Sequence, residues 1–561
     1  MDEQTAERLE RIGLRDHSVT AEYRIFGPPG TGKTTNLTRQ IRRAVDRFGD
    51  SSVLVTSFSK ATAAELIGRD TPIDFDRIGT LHSHCFHALG KPMIAEVHAG
   101  DWNRRYPRLK ITPVSRHARL DGEDAPEDDG RAREGDCLLQ QLNRFRGMML
   151  SPEGWPAVVR DFGSLWTKYK SANGLLDFCD LIEVSMRDVP VAPHSPSVLV
   201  VDEAQDLNRM QLTLIRSWSE CARYLVLAGD DDQTIYAWAG ASPDAILDPE
   251  IPDDHKVFLK ESVRIPRAVH AVAERLIRQV SRRQEKTYRA RPADGEVVRL
   301  SRAGYRSPEY WILKTAERHL AQGKTIMFLA SCSYMVRPIV TVLRKYGIPF
   351  HNPHRKNNGF WNPLRSTSRE SAASRMLALL AGHPEFVDGN RRWRFSDLAL
   401  WTEWLRDQGV LMPGATESIS ANPPHQEVSR EFLEAVFAPD ALAKLLVSLG
   451  DNPGALLDWW RSRLAPEFRK RIQFPSSVAA LRGPQTLQRV PQIVVGTIHS
   501  VKGGQADVVY LFPDLSKAAD AQYRKCGPPR DSVIRTFYVG ATRARETLYI
   551  CSAEGAAAAS I

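Results

Sequence analysis

Cysteine is scarce in this chain: seven residues in 561, and no two of them stand as C-x-x-C. Such spacing offers neither a disulfide framework nor a zinc or iron–sulfur ligand set. His82, His84, Cys85 and His87 form the one dense group of possible ligands, but their spacing departs from known zinc patterns. Long apolar runs are missing too. No stretch approaches the length of a membrane span, and the opening MDEQTAERLERIG lacks the apolar core of a signal peptide. Internal repeats and low-complexity tracts are absent apart from the closing AAAASI, which is expected to fray. These absences imply a reduced, cytoplasmic setting with no membrane partner.

What is present is an ordinary globular composition, 42% hydrophobic and 25% charged, over a length that calls for several domains. The formal net charge is +9, which leans towards a polyanionic partner such as nucleic acid. The most informative stretch is residues 27–34, GPPGTGKT, a match to G-x-x-x-x-G-K-[ST]. A short apolar run at 23–26 precedes it, and Leu37, Ile41, Ala44 and Phe48 follow at helical spacing. Strand, glycine loop and helix together build a phosphate cradle: backbone N–H groups and the helix N-terminus both favour an anion. The expected nucleotide contacts are Gly27, Pro28, Pro29, Gly30, Thr31 and Gly32, then Lys33, Thr34 and Thr35. Lys33 would reach the β- and γ-phosphates, and the Thr34 hydroxyl would ligate Mg²⁺.

Further strands are expected at 53–57, 197–201 and 224–228, with helices between them. The second of these runs, SVLVV, ends in DEAQD, and the third enters GDDDQTIYAWAG. Repeated strand–loop–helix units with polar strand ends describe a doubly wound α/β domain whose ligands sit at that edge. Between about 100 and 165 an aromatic and basic segment is followed by an acidic run at 121–136, read as a solvated loop within an insertion. A second α/β set, with strands at 325–329, 493–497, 507–511 and 547–550, is interrupted at about 380–487. That interruption reads as helices, with Trp393, Trp401, Trp404, Trp459 and Trp460 as core of a small helical domain.

Seven segments in order carry a resemblance: GPPGTGKT, TSFSKATAAEL, GTLHSHCF, VDEAQD, AGDDDQTIYAWAGA, VVGTIHSVKGGQADVV and YVGATRA. Together they resemble the UvrD/Rep family of superfamily-one helicases, in a short form. The resemblance implies an α/β fold of two RecA-like P-loop domains with parallel sheets, each carrying a mainly helical insertion. The expected boundaries are 1–99 and 166–265 for core domain 1A, 100–165 for insertion 1B, 266–380 and 488–561 for core domain 2A, and 381–487 for insertion 2B. It also implies ATP and Mg²⁺ in the cleft, single-stranded DNA and strand junctions across the top, and protein partners through the insertions. The activity implied is a DNA-dependent ATPase and 3′→5′ helicase of repair or replication, bacterial or phage-encoded. A protein-displacing translocase and an ATP-gated subunit of a larger repair, replication or defence complex are the alternatives.

Carried over by position, Lys33 and Thr34 bind phosphate and magnesium, Asp202 assists the metal, and Glu203 is the general base. Gln233 couples the γ-phosphate to the DNA-facing segment, while Arg264 and Arg543 are arginine fingers. Phe58, Ser59, Lys60, Thr80, His82 and His499 match strand-contacting positions, and Tyr236 and Trp238 match base-stacking aromatics. Three departures stand out. No glutamine segment precedes Gly27, Val263 replaces an aromatic before Arg264, and Gln505 stands where a glutamate meets the ribose. All three weaken contacts to base and sugar, so relaxed nucleotide-base selectivity is expected. The second insertion is expected to be a trimmed form, and no nuclease domain is expected after Arg545.

Overall fold

The computed structural model describes residues 20–58, 60–68, 71–114, 133–353, 355, 359–364, 371–384, 386, 392–406 and 408–561, without the side chains of 60–62 and 65. Ser59 and residues 121–132 of the acidic run lie outside the described residues, as do the side-chain contacts of Lys60.

Two six-stranded sheets, every pairing parallel, form two lobes. The first contains β1 (Ala21–Phe26), β2 (Val53–Ser57), β3 (Ile78–Thr80), β4 (Val198–Asp202), β5 (Tyr224–Gly229) and β6 (Lys256–Phe258), in the order β3-β2-β4-β5-β1-β6. The second contains β7 (Glu296–Arg299), β8 (Ile326–Ala330), β9 (Phe350–His351), β10 (Ile493–Thr497), β11 (Ala506–Leu511) and β12 (Ala544–Ile550), in the order β7-β12-β11-β8-β10-β9.

Strands β4 and β8 are almost wholly apolar because both of their faces are covered. Along β4, Val198 and Val200 enter one apolar cluster while Leu199 and Val201 enter another on the opposite face. Strand β8 does the same, with Ile326, Phe328 and Ala330 on one face and Met327 and Leu329 on the other. Parallel pairing brings every strand's C-terminal end to one edge of its sheet. Hence the loops after β1, β4 and β5 are neighbours although they are far apart in sequence.

The first insertion packs around Trp102, Phe162, Trp166 and Tyr169, in a cluster that runs from Ala95 to Leu175. The helix Ala157–Asn173 crosses the boundary expected at residue 165, since Trp166 and Tyr169 continue the same buried face. The aromatics at 102–106 serve packing here, with the Trp102 and Tyr106 rings 4.3 Å apart and tilted by 40°. In the second insertion all five tryptophans are buried. Their cluster also contains Ile326, Phe328 and Tyr510 of the second sheet, so this helical region shares one apolar core with the sheet face. The expected fraying at the end does not occur. Ala559 N donates to the carbonyl of Pro513, Leu515 N donates to that of Ala557, and Ile561 is buried against the second lobe.

Candidate nucleotide site and nucleic-acid interface

The loop after β1 is shaped by glycine. Gly30 has φ +75°, and a Cβ there would stand 2.4 Å from Arg264 Cβ and 2.7 Å from Ser262 Oγ. The loop therefore lies directly against residues 262–264: Ser262 Oγ donates to the carbonyl of Pro29 at 2.9 Å, and Val263 N donates to that of Gly30 at 2.9 Å. Thr31 closes the turn by donating its N–H and hydroxyl to the carbonyl of Pro28. Gly27 N donates to the carbonyl of Gly229 at 2.9 Å, joining the ends of β1 and β5. The helix Lys33–Phe48 starts after Gly32, with its first N–H groups facing the loop and Thr34 in its first turn.

Lys33 Nζ lies 2.8 Å from Glu203 Oε1. Burial alone would lower the Lys33 ammonium, but Glu203, Asp202 and Asp230 outweigh it and raise it. For Glu203, burial works upward, yet Lys33 and Lys502 hold the carboxyl down at about 2. Glu203 has φ +54°, a left-handed conformation costly for a residue with a side chain, fixed as its N–H bonds Asp202 Oδ1 at 2.9 Å. Gln205 Nε2 donates to Glu203 Oε2 at 2.5 Å, and Gln205 Oε1 accepts from Asp230 N. Asp202 is fully buried at the end of β4.

The second lobe reaches into the same pocket. Arg543, buried, donates through Nη2 to Gln233 Oε1 at 3.2 Å and through Nε to the carbonyl of Val539 at 2.9 Å. Burial and then the like charge of Arg264 push its guanidinium down to about 9. Arg264 touches the glycine loop and donates Nε to Gln505 Oε1 at 2.8 Å. Thus Lys33, Arg264 and Arg543 converge, two of them repelling each other, in a cradle that an anion would relieve. The glycine loop, Thr34 and the Asp202 carboxylate form a donor set suited to a triphosphate with a hard divalent cation. Among the described residues no group of three or more His, Cys, Asp or Glu forms a protein-only metal site. Two of the three departures lie at the cleft: Val263 is 81% exposed at the mouth, and Gln505 is exposed beside Arg264.

The strand-contacting candidates separate into two groups. Trp238 is partly exposed on the loop after β5, and its buried Nε1 finds no hydrogen-bond partner among the described residues. Tyr236 is only 6% exposed. Its ring lies against Phe58 at 5.1 Å and edge-on to Trp238 at 6.1 Å, with Lys502 Nζ 5.2 Å over it, so it supports Trp238 rather than offering a free face. Thr80 is buried, and its hydroxyl accepts Ser83 N at 3.2 Å to cap the helix Leu81–Ala88. His82 and His499 are partly exposed, and burial pulls both imidazoles down to about 4. Lys502 went unnoticed in the sequence, although it stands three residues after His499. It pairs with Asp206, donates to the carbonyl of Gln233 at 3.1 Å, and lies 3.9 Å from Glu203. Gln205 and Asp206 were legible as polar residues of VDEAQD but carried no assigned role.

Two parallel-stranded lobes with a shared triphosphate cradle define a two-domain P-loop protein of RecA-like architecture. The family description "UvrD/REP helicase N-terminal domain" matches residues 15–251, and "UvrD-like helicase C-terminal domain" matches residues 492–551. The chain belongs to the UvrD/Rep-like helicase family, superfamily one, subclass A. It is 25% identical over 328 residues to the ATP-dependent DNA helicase PcrA of Staphylococcus epidermidis, covering 54% of this chain and 44% of that protein. PcrA of Staphylococcus aureus is 24% identical over 333 residues, covering 54% and 45%. The chain thus matches less than half the length of these relatives. Among the described residues no helix is long and apolar enough to cross a membrane.

Proposed function

We propose that this chain is a DNA-dependent ATPase that translocates 3′→5′ on single strands and unwinds duplex, in the cytoplasm of a bacterium or an infected one. The observation that carries the reading is the contact between lobes at the pocket: Arg543 of the second lobe bonds Gln233 of the first, beside Lys33 and Glu203. An ATP-driven motor needs its catalytic set divided so that closure completes it and product release undoes it.

Lys33 and the glycine-loop N–H groups would bind the β- and γ-phosphates, with Thr34 and Asp202 holding Mg²⁺, which supplies charge neutralisation when bound. A carboxylate held at about 2 is a feeble base. A triphosphate competing for Lys33 removes Glu203's strongest electrostatic partner, so its basicity rises when substrate is in place. Arg264 and Arg543 would stabilise charge spreading onto the equatorial oxygens, an effect worth about 10³–10⁵ in rate for such arginines. Gln233 reports that state to the adjoining Trp238 loop. Phe58, Ser59, Lys60, His82, Trp238 and His499 would line the DNA path, and the insertions would meet the strand junction or protein partners.

The test is ATP hydrolysis with single-stranded DNA, duplex DNA and RNA, followed by unwinding of duplexes with 3′ or 5′ tails. Stimulation by single strands and unwinding of 3′-tailed substrates is the expected result. Displacement of streptavidin without unwinding would identify a protein-stripping translocase, and no stimulation by any nucleic acid would refute the motor.

A further inference from the structure

Directly before Gln233 stand three consecutive aspartates, Asp230, Asp231 and Asp232, all buried at the end of β5. Three carboxylates cannot be buried without compensation. Here it arrives from the other lobe, through residues 281–286, which follow the helix Arg267–Ile277. Lys286, its side chain 2% exposed, places Nζ 3.1 Å from Asp230, 2.6 Å from Asp231 and 2.8 Å from Asp232. Arg283 grips Asp232 with two bonds of 2.9 and 2.6 Å, and the backbone N–H of Gln284 donates to Asp231 at 2.8 Å. The segment is tied to its own lobe as well: Ser281 donates its N–H and hydroxyl to Asp531, and Arg535 donates to the carbonyl of Arg282.

Asp230 divides its two oxygens. Oδ1 faces Lys286, and Oδ2 accepts the Gln233 amide, Nε2, at 2.8 Å. With its nitrogen held there, Gln233 must turn Oε1 the other way, where it accepts from Arg543. An amide has two nearly isosteric ends, and only its neighbours decide which faces which way. The chain of contacts runs from Lys286 to Asp230 to Gln233 to Arg543, so it begins and ends in the second lobe.

We propose that Lys286 is a positioning residue for Gln233: its buried ammonium anchors the Asp230 carboxylate, which presents the Gln233 carbonyl oxygen to Arg543. The inference rests on the reading of Gln233 as the group that couples nucleotide state to the second lobe. Two cations face three carboxylates in this seam. The surplus negative charge is felt at Asp231, which burial pushes up to about 6 in spite of Lys286. Loss of Lys286 would leave the Asp230–Gln233 bond to compete with charge repulsion in a low dielectric.

The experiment is steady-state ATP hydrolysis, with single-stranded DNA, by the full chain and by Lys286→Met, Lys286→Arg, Gln233→Ala and Lys286→Met/Gln233→Ala. Lys286→Met is expected to lower kcat by about tenfold or more with KM for ATP changed less than about threefold, and Lys286→Arg to restore most of kcat. In the Gln233→Ala background, Lys286→Met should cause no further loss of kcat. Equal losses in both backgrounds would mean that Lys286 acts only on general stability and would overturn the proposal, as would an unchanged kcat. Should Lys286→Met not fold, Asp230→Asn, which keeps the shape and removes the charge, must show the same non-additivity with Gln233→Ala; additive losses there overturn it equally. A wild-type chain that hydrolyses no ATP removes the proposed function and this inference together, whereas wild-type turnover with additive losses removes this inference alone.

Discussion

Lys33 and Glu203 neutralise each other at 2.8 Å, so each residue's chemistry depends on what separates them. Lys33→Ala removes both the phosphate contact and the competition that substrate would win. Turnover is expected to fall below about one-hundredth of wild type, the scale of losing a principal electrostatic contact, while single-strand affinity measured by anisotropy stays within about threefold. Retained hydrolysis would refute the assignment of the glycine loop. Val263 leaves an aliphatic side chain at the mouth of the cleft, and Gln505 brings no charge to the sugar. Hydrolysis of ATP, GTP and CTP is therefore expected to proceed with kcat/KM values within about tenfold of one another, a difference of about 1.4 kcal/mol; strict ATP preference would contradict it. His82 and His499, pulled down to about 4, are neutral throughout the physiological range. They contribute no titration to strand binding between about pH 6 and 8, and a histidine-dependent change in affinity over that window would count against their described surroundings.

At the scale of elements, the junction of the first insertion with its lobe is built on one buried carboxylate. Asp177 caps the helix Phe178–Asp188, accepts two bonds from Arg146 Nη1 at 3.0 and 2.9 Å, and accepts from Trp166 Nε1 and Lys170 Nζ. Burial would raise this carboxyl, but Arg146 and Lys170 hold it down, which leaves the neighbouring Glu96 to go the other way: burial and then Asp177 raise Glu96 to about 8. Glu96 is thus protonated in the fold and ionised in the unfolded chain at neutral pH. Its folded pKa is raised, so the stability it contributes is complete below 4.5 and is lost as pH rises through about 8. Replacement Glu96→Gln should flatten that decline, leaving the variant with the higher Tm at alkaline pH; parallel Tm curves for the two proteins would disprove it. Asp177→Ala removes one buried partner from Arg146 and Lys170 while Asp180 stays with both, so it should cost about 1.5–3 kcal/mol in chemical denaturation, the scale of losing hydrogen bonds to a charged group.

Elements also differ in how plainly the sequence announces them. The inner strands β2, β4, β5, β8, β10 and β11 are legible because each is covered on both faces and so carries a mainly apolar run. Three of the outer strands, β6, β7 and β9, are short; KVF, EVVR and FH carry no such run, and their pairing is decided by the neighbouring strand. The second insertion's tryptophans were legible as core, but not that their core would be continuous with the sheet.

For the whole molecule, a net charge of +9 and a two-lobed cradle predict association dominated by phosphate contacts. Single-strand affinity should fall linearly on a logarithmic salt scale, with a slope near −0.7 for each phosphate neutralised. An affinity that ignores salt would exclude this interface. Trp238→Ala should weaken strand binding by roughly 1–3 kcal/mol and reduce DNA stimulation of hydrolysis in parallel. Affinity unchanged in that variant would assign Trp238 to packing alone.

By itself the sequence determined the glycine loop, the order of the motif segments, the apolar central strands and the carboxylates that end them, because each is a local pattern imposed by strand burial or phosphate geometry. Only the tertiary structure decided that Thr80 is spent on a helix cap, that Tyr236 is wedged beneath Lys502, and that Lys286 neutralises aspartates some fifty residues earlier in the chain. Those outcomes depend on which side chains meet across the seam between lobes. No local pattern encodes that, since a buried charge is satisfied by whatever partner the fold brings within reach.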